Sequence, residues 1–303
     1  MENLEFIALE TDENIRIDSF LNNKLLDISR SRIQKLIEEE KILINKKTVN
    51  KNYKLKKDDI IEIFLEPTKE IDIKAENIPL DIVFEDNDII LINKPQNMVV
   101  HPAAGNYEGT IVNAIMYHCK DNLSSINGIL RPGIVHRIDK NTSGIIVIAK
   151  NDNAHQKLSN QLAEHSMKRE YYAIVKGNLK EDTGTINAPI GRHPIDRKKM
   201  AVVNKNSKNA ITHYKVLERL KNYTLVKLNL ETGRTHQIRV HMAYIGHPLL
   251  GDDVYGTKKQ PFKLLGQVLH AKTLGFIHPT KNEYIEFETP LPEYFSSTIK
   301  KLR

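Results

Sequence analysis

The sequence predicts an α+β protein, in which a small N-terminal α/β unit precedes a larger domain built on a mostly antiparallel mixed sheet. Three observations lead there. Segments with the two-residue alternation of strands outnumber segments with helical apolar spacing, and the two kinds rarely alternate, which argues against a doubly wound parallel sheet. A polar, charged stretch with an early proline, EPTKEIDIKAEN at 66–77, separates two differently patterned regions. The chain has 303 residues, more than one compact unit usually holds.

From Asn14 to Phe64 the pattern is tight. NIRIDSFLNNKLL and SRSRIQKLIEEEK have helical spacing, with Ile33, Leu36 and Ile37 on one face and Ser29 or Ser31 placed as a cap. KILINKKTV and DDIIEIF then alternate as strands, with a turn at Asn45-Lys46-Lys47. After the linker, strands pair around the acidic turn Glu85 to Asp88, a helix runs from Thr110 through His118, and the apolar run from Ile145 reads as a buried strand. A helix starts near Asp152 as its N-cap, and strands follow at EYYAIVKG, AITHYKVLERL and YTLVKLNL. Gly233 breaks the last of these, and Ile238, Met242 and Ile245 recur at helical spacing behind Arg234 and Thr235.

Composition narrows the class. One cysteine, Cys119, excludes an intramolecular disulfide and any multi-cysteine metal centre. The acidic start and the lack of a long apolar run predict a cytoplasmic protein with no membrane segment. The net charge is +7, and residues 1–77 carry a slight acidic excess, so the basic surplus belongs to residues 78–303. Such a surplus favours a polyanionic partner through counterion release. On the N-terminal unit Arg30, Arg32 and Lys35 lie on or beside the polar side of the second helix, and Lys46 sits at the turn. A charged helix face is ordinarily a solvated one, so this pattern alone does not assign RNA binding.

The chain has no G-x-G-x-x-G, no G-x-x-x-x-G-K-[ST] and no H-E-x-x-H. Its twelve histidines include His236 and His241, five apart, and an isolated His136, so the reading is no metal and no cofactor. Asp252 and Asp253 in GDDVYG read as a turn, because consecutive side chains diverge and glycines flank them. Two stretches remain, RPGIVHRIDKNTSGIIVIAK at 131–150 and TGRTHQIRVHMAYIG at 232–246. The first sets Asp139 among cations at a strand mouth. It is either a structural ion-pair partner of Arg137 or Lys140, or a carboxylate held ionised in a cleft as nucleophile or base.

GIVHRIDKNTSGIIVIAK closely resembles the H-R-L-D-x-x-T-S-G motif of the RluA/RluD class of pseudouridine synthases. INKPQNMVVHPAAGNYEGTIVNA, REYYAIVKG, TGRTHQIRVHMAYIGHPLLGDDVYG, LHAKTLGFIHP and TPLP agree in order, so residues 80–292 are covered almost continuously. Ile138 stands where leucine is usual and Asn141 where an acidic residue is usual. Residues 14–64 resemble an S4 RNA-binding domain, which sets the expected boundaries at 14–64 for that domain, 65–77 for a linker and 78–303 for the catalytic domain.

The resemblance implies an isomerase acting on uridine in RNA, without cofactor, metal or membrane, as a monomer. It assigns Asp139 as the essential aspartate, Arg137 as the residue that fills the space of the displaced base, Tyr171 as the aromatic stacked on the target, and Arg234 as the basic partner of the aspartate. It implies RNA contacts from Arg30, Arg32, Lys35 and Lys46. Flipping a nucleotide out of its stack costs a few kcal/mol, which stacking and phosphate contacts must return. Large-subunit ribosomal RNA is the expected target. Transfer RNA is the alternative, and a non-catalytic RNA-binding protein is the rival from another class.

Overall fold

The computed structural model describes residues 2–25, 28, 30–65, 73–103, 105–120, 122–126, 128, 131–196, 199–257 and 260–303. The chain divides into two compact units, Met1–Ile71 and Asp72–Arg303.

The first unit runs β1 (Glu2–Ile7), α1 (Ile17–Lys24), α2 (Arg30–Glu38), β2 (Ile42–Ile44), β3 (Lys47–Thr48) and β4 (Ile60–Leu65). Its sheet is antiparallel in the order β1-β4-β2-β3. Ile33, Leu36 and Ile37 are buried in one cluster with Ile17, Phe20 and Leu21 of α1 and with Ile42, Ile44, Ile61 and Ile63 of the sheet. One helical stripe per helix thus covers one sheet face. Asn45 and Lys46 both have positive φ, 50° and 63°, the backbone of a tight hairpin whose twist matches its strands. β1 precedes the region in which the sequence shows a pattern, because its partner β4 lies at the far end of the unit. Ser29 lies outside the described residues, as does the side chain of Ser31.

In the second unit come β5 (Ile82–Glu85), β6 (Ile89–Lys94), α3 (Ile111–Cys119), β7 (Ser143–Ala149), α4 (Asp152–Ala163) and β8 (Lys168–Lys176). β9 (Thr183–Asn187), β10 (Ile190–Arg192), β11 (Met200–Val202) and β12 (Ser207–Lys208) follow. Then come β13 (Ile211–Leu220), β14 (Tyr223–Leu230), α5 (Gln237–Tyr244), β15 (Leu269–Ile277), β16 (Tyr284–Glu288) and α6 (Glu293–Leu302). Nine strands form one sheet in the order β5-β6-β7-β15-β8-β14-β13-β9, with β16 on the edge of β15, and β11-β10-β12 form a small second sheet. Among the described residues every strand pairing is antiparallel except β7 with β15. There the strands approach so closely that a Cβ on Gly144 would collide with the Ala271 carbonyl oxygen, and Gly144 also has φ +113°. β7 is buried along its whole length, as its unbroken apolar run requires.

α3 begins where expected, its Thr110 hydroxyl accepting the Asn113 amide. The cap of α4 is Asn151, whose side chain accepts the Ala154 amide, one residue before the expected Asp152. Asp152 instead accepts from the Ser124 hydroxyl and the Ser125 amide, a tertiary use that local pattern does not reveal. Residues 66–72 of the expected linker lie outside the described residues. The rest of it is anchored on α3: Glu76 donates its amide to the Asn113 carbonyl, and Asn113 Nδ2 donates to the Lys74 carbonyl. Among the described residues no helix is long and apolar enough to cross a membrane.

Candidate active site

A cleft of about 520 Å³ opens over the middle of the large sheet, walled by residues of β8, β14, β15, α4 and α5 and by the segment before β7. It brings together all four residues singled out in the catalytic domain, Arg137, Asp139, Tyr171 and Arg234, with Arg169, His236 and Arg239 beside them. Asp139 is the one carboxylate among the lining residues, and its side chain is 19% exposed.

The loop that carries Asp139 is held from three sides. Thr142 donates its amide to the Asp139 carbonyl, closing a turn. Gln267 Nε2 donates to the Thr142 hydroxyl, and Gln96 Nε2 donates to the Asn141 carbonyl. Lys94, fully buried, donates to the carbonyls of Pro95, Met98 and Lys140 at 2.7, 2.8 and 3.0 Å. Burial pushes its ammonium down to about 7, with the Asp139 charge pulling the other way. Three acceptors match the three hydrogens of an ammonium, so the group serves as a staple. Lys94→Met should strand three carbonyls and cost roughly 3 kcal/mol or more, read as a lowered urea midpoint for the second unit.

The basic partner of Asp139 is Arg239, which corrects the assignment of Arg234. Arg239 NH1 donates to Asp139 Oδ2 at 3.1 Å. Arg234 turns away, Nε donating to the Asn209 carbonyl at 2.9 Å, while its amide donates to Gln237 Oε1. The reason is where the helix starts: α5 begins at Gln237 after a left-handed His236 (φ 56°), so Arg234 belongs to the preceding turn. Arg239 is nearly buried and lies between two carboxylates, with Nε and NH2 donating to Asp252 at 2.7 and 3.0 Å. Burial would lower the pKa of this guanidinium, but Asp252 and then Asp139 outweigh it and raise it.

Asp252 is therefore more than the turn residue that sequence pattern makes of it. Its carboxylate does close the turn, accepting the amides of Val254 and Tyr255, and it also fixes Arg239. Burial raises the Asp252 pKa, and the Arg239 hydrogen bond and charge overcome that and lower it. The Tyr255 ring lies 5.1 Å from the Arg239 guanidinium carbon, and its hydroxyl accepts the Met200 amide and bonds His236 Nδ1. His236 Nε2 is 3.9 Å from Asp139 Oδ1. Neither Arg239 nor Asp252 stands out in a single chain, since each acquires its role from a partner on another element.

Arg137 NH1 bonds Nε2 of the buried His101 at 3.2 Å. Burial and the nearby Arg137 and Arg131 push His101 down to about 4, so at neutral pH it is the acceptor of that bond. Tyr171 is 8% exposed, and burial raises its phenol pKa against the pull of Arg169. His136 accepts the Val147 amide through Nε2 and is pushed by burial to about 3, which makes it a neutral support for β7.

Among the described residues two groups gather potential metal ligands, Glu85 with His118 and Cys119, and Asp86 with Asp88 and His278. Both are occupied internally: Glu85 pairs with Lys150 and His118, and Asp86 with His278. On the first unit Arg30, with Arg16 and Gln34, bonds the fully buried carboxylate of Asp18. Burial alone would raise Asp18, but these hydrogen bonds hold it at about 2. Arg32 and Lys35 both pair with Glu39. Lys46 is exposed at the hairpin tip.

The family model described as RNA pseudouridylate synthase matches residues 88–244, and the S4 domain model matches residues 15–61. An uncharacterized RNA pseudouridine synthase of Bacillus subtilis (strain 168), YlyB, is 49% identical over 100% of this chain and 99% of its own length. The ribosomal large subunit pseudouridine synthase D of Zymomonas mobilis is 43% identical, covering 96% of both chains. Among solved structures, the human RNA pseudouridylate synthase domain containing 1 superposes with a TM-score of 0.58 at 25% identity, over 78% of this chain and 97% of the other.

Proposed function

The chain belongs to the RNA pseudouridine synthase family and carries an S4 domain, and from that premise we propose that it isomerises particular uridines of large-subunit ribosomal RNA with Asp139 as its catalytic residue. The observation that carries the assignment of Asp139 is its position as the one carboxylate lining the cleft among the described residues, held by Arg239. The reaction breaks the N1–C1′ bond, turns the uracil and rejoins it through C5, which then loses its proton. A walled cleft keeps the detached base in place while it turns. Arg137 fills the gap left in the RNA, and Tyr171 stacks on the flipped base. The ribosomal target is supported by relatives named for the large ribosomal subunit that match nearly the whole chain. A map of pseudouridine in total RNA from cells with and without the protein tests the target. Loss at large-subunit positions is expected, and loss confined to transfer RNA would move the target there.

Tyr171 separates stacking from chemistry. Stacking is worth about 1–3 kcal/mol and survives in Phe. Burial raises the phenol pKa, so the hydroxyl is protonated at neutral pH and its oxygen can take the C5 proton only while passing its own proton to solvent water. Tyr171→Phe is expected to bind and flip its target normally but to form pseudouridine slowly, whereas Tyr171→Ala loses both. Single-turnover rates beside a fluorescent reporter of flipping check this, and a Phe variant as fast as wild type would leave Tyr171 a stacking platform only.

The S4 unit supplies affinity. Since the chain from Ile73 onward packs with the second unit's core, truncation belongs at Ile71. Removal of residues 1–71 is expected to leave a folded, active protein that binds long structured RNA more weakly. The salt dependence should become shallower as phosphate contacts from Arg30, Arg32, Lys35 and Lys46 are lost. An unchanged slope would show that this face does not touch RNA.

A further inference from the structure

The arginines of the cleft are held differently. Arg239 bonds Asp139, with His236 3.9 Å from the same carboxylate, and Arg137 bonds His101. Arg169 and Arg234 have no carboxylate among the described residues, and each spends its bonds on backbone carbonyls: Arg169 NH2 on Leu230 and Glu231, Arg234 Nε on Asn209. Arg169 is 8% exposed, and its buried Nε has no hydrogen-bond partner among the described residues. Burial lowers its pKa, Tyr171 opposes this, and the Arg234 charge lowers it further, so the two guanidinium groups repel each other. A buried cation beside a second cation is expensive unless an anion joins them.

Geometry says where that anion would sit. Arg169 and Tyr171 are two residues apart on β8, so both project from one face of the sheet, roughly 7 Å from each other, and both line the cleft. That spacing is comparable with the reach from a pyrimidine ring to its own phosphate. Gly233 lies against the Arg169 guanidinium, and a Cβ there would sit 2.7 Å from Arg169 NH1 and push it aside. We propose that Arg169 and Arg234 form a phosphate subsite, which takes the backbone phosphate of the nucleotide whose base lies on Tyr171. A uracil carbonyl, being neutral, would leave the double positive charge uncompensated, whereas a phosphate offers paired oxygens to planar guanidinium groups. The subsite rests on the reading of RNA as substrate and gives Arg234 a role that Asp139 does not require of it.

The test is a double-perturbation cycle on the full chain. An RNA hairpin carrying a mapped target uridine is made with a neutral methylphosphonate on the 5′ side or, separately, on the 3′ side of that uridine. Affinity and single-turnover rate are measured for wild type, Arg169→Met and Arg234→Met. At one of the two positions the neutral linkage is expected to weaken wild type by roughly tenfold or more, and to cost Arg169→Met little beyond what that variant has already lost. Losses that multiply in both variants, or a wild type indifferent to both linkages, would overturn the subsite. Arg234→Met keeps the cycle readable if Arg169→Met fails to fold. A wild type that makes no pseudouridine from the unmodified hairpin, yet shows the coupled loss of affinity, would overturn the enzymatic reading and leave the subsite standing.

Discussion

Asp139→Asn is expected to reduce pseudouridine formation by on the order of 1000-fold or more, while fold and RNA affinity stay within about twofold of wild type. Asn preserves size, and its carbonyl oxygen can still accept from Arg239 NH1, which approaches Oδ2 in the native protein. Only the charge and its capacity to act on sugar or base are removed. Arg239 is not orphaned by the change, since Asp252 retains it through two further bonds. The measurement is single-turnover product formation beside equilibrium binding to the same RNA. Retained turnover, or equal loss of rate and binding, would return Asp139 to the role of a structural ion-pair partner.

Arg239→Gln should be the more complex variant. It removes the group that sets the direction of the Asp139 carboxylate, a change expected to slow the single-turnover rate on the order of 100-fold. It also leaves Asp252, 1% exposed, without its cation. Breaking a buried pair in this way costs about 3–5 kcal/mol, read as a fall in the urea midpoint. Arg239→Lys separates the two effects. One ammonium cannot reproduce the bidentate bond to Asp252 and the third bond to Asp139, but it keeps positive charge in the pocket. Stability should therefore recover more than rate. A lysine variant that restores rate fully would show that charge alone, and not the fork of bonds, holds Asp139.

Arg239 also shows the limit of reading a chain by itself. The sequence was sufficient for whatever is local: the stripe of Ile33, Leu36 and Ile37, the hairpin at Asn45-Lys46, the buried run of β7, and the cluster of residues around Asp139. These follow from periodicity, turn chemistry and contiguous motif, which involve neighbours within a few residues. The family pattern, spread through residues 80–292, was legible for the same reason. The tertiary structure decided which cation meets which anion. Arg234 and Arg239 lie five residues apart, and the left-handed turn at His236 sends one to the Asn209 carbonyl and the other to Asp139, a hundred residues away in sequence. Asp252 is a turn residue in both descriptions, and only the approach of α5 makes it the anchor of Arg239. β1 and the parallel pair β7–β15 likewise depend on strands far apart in the chain. Salt bridges and strand pairs of long sequence separation are selected by burial of the whole core, and that energy is not written in any one segment.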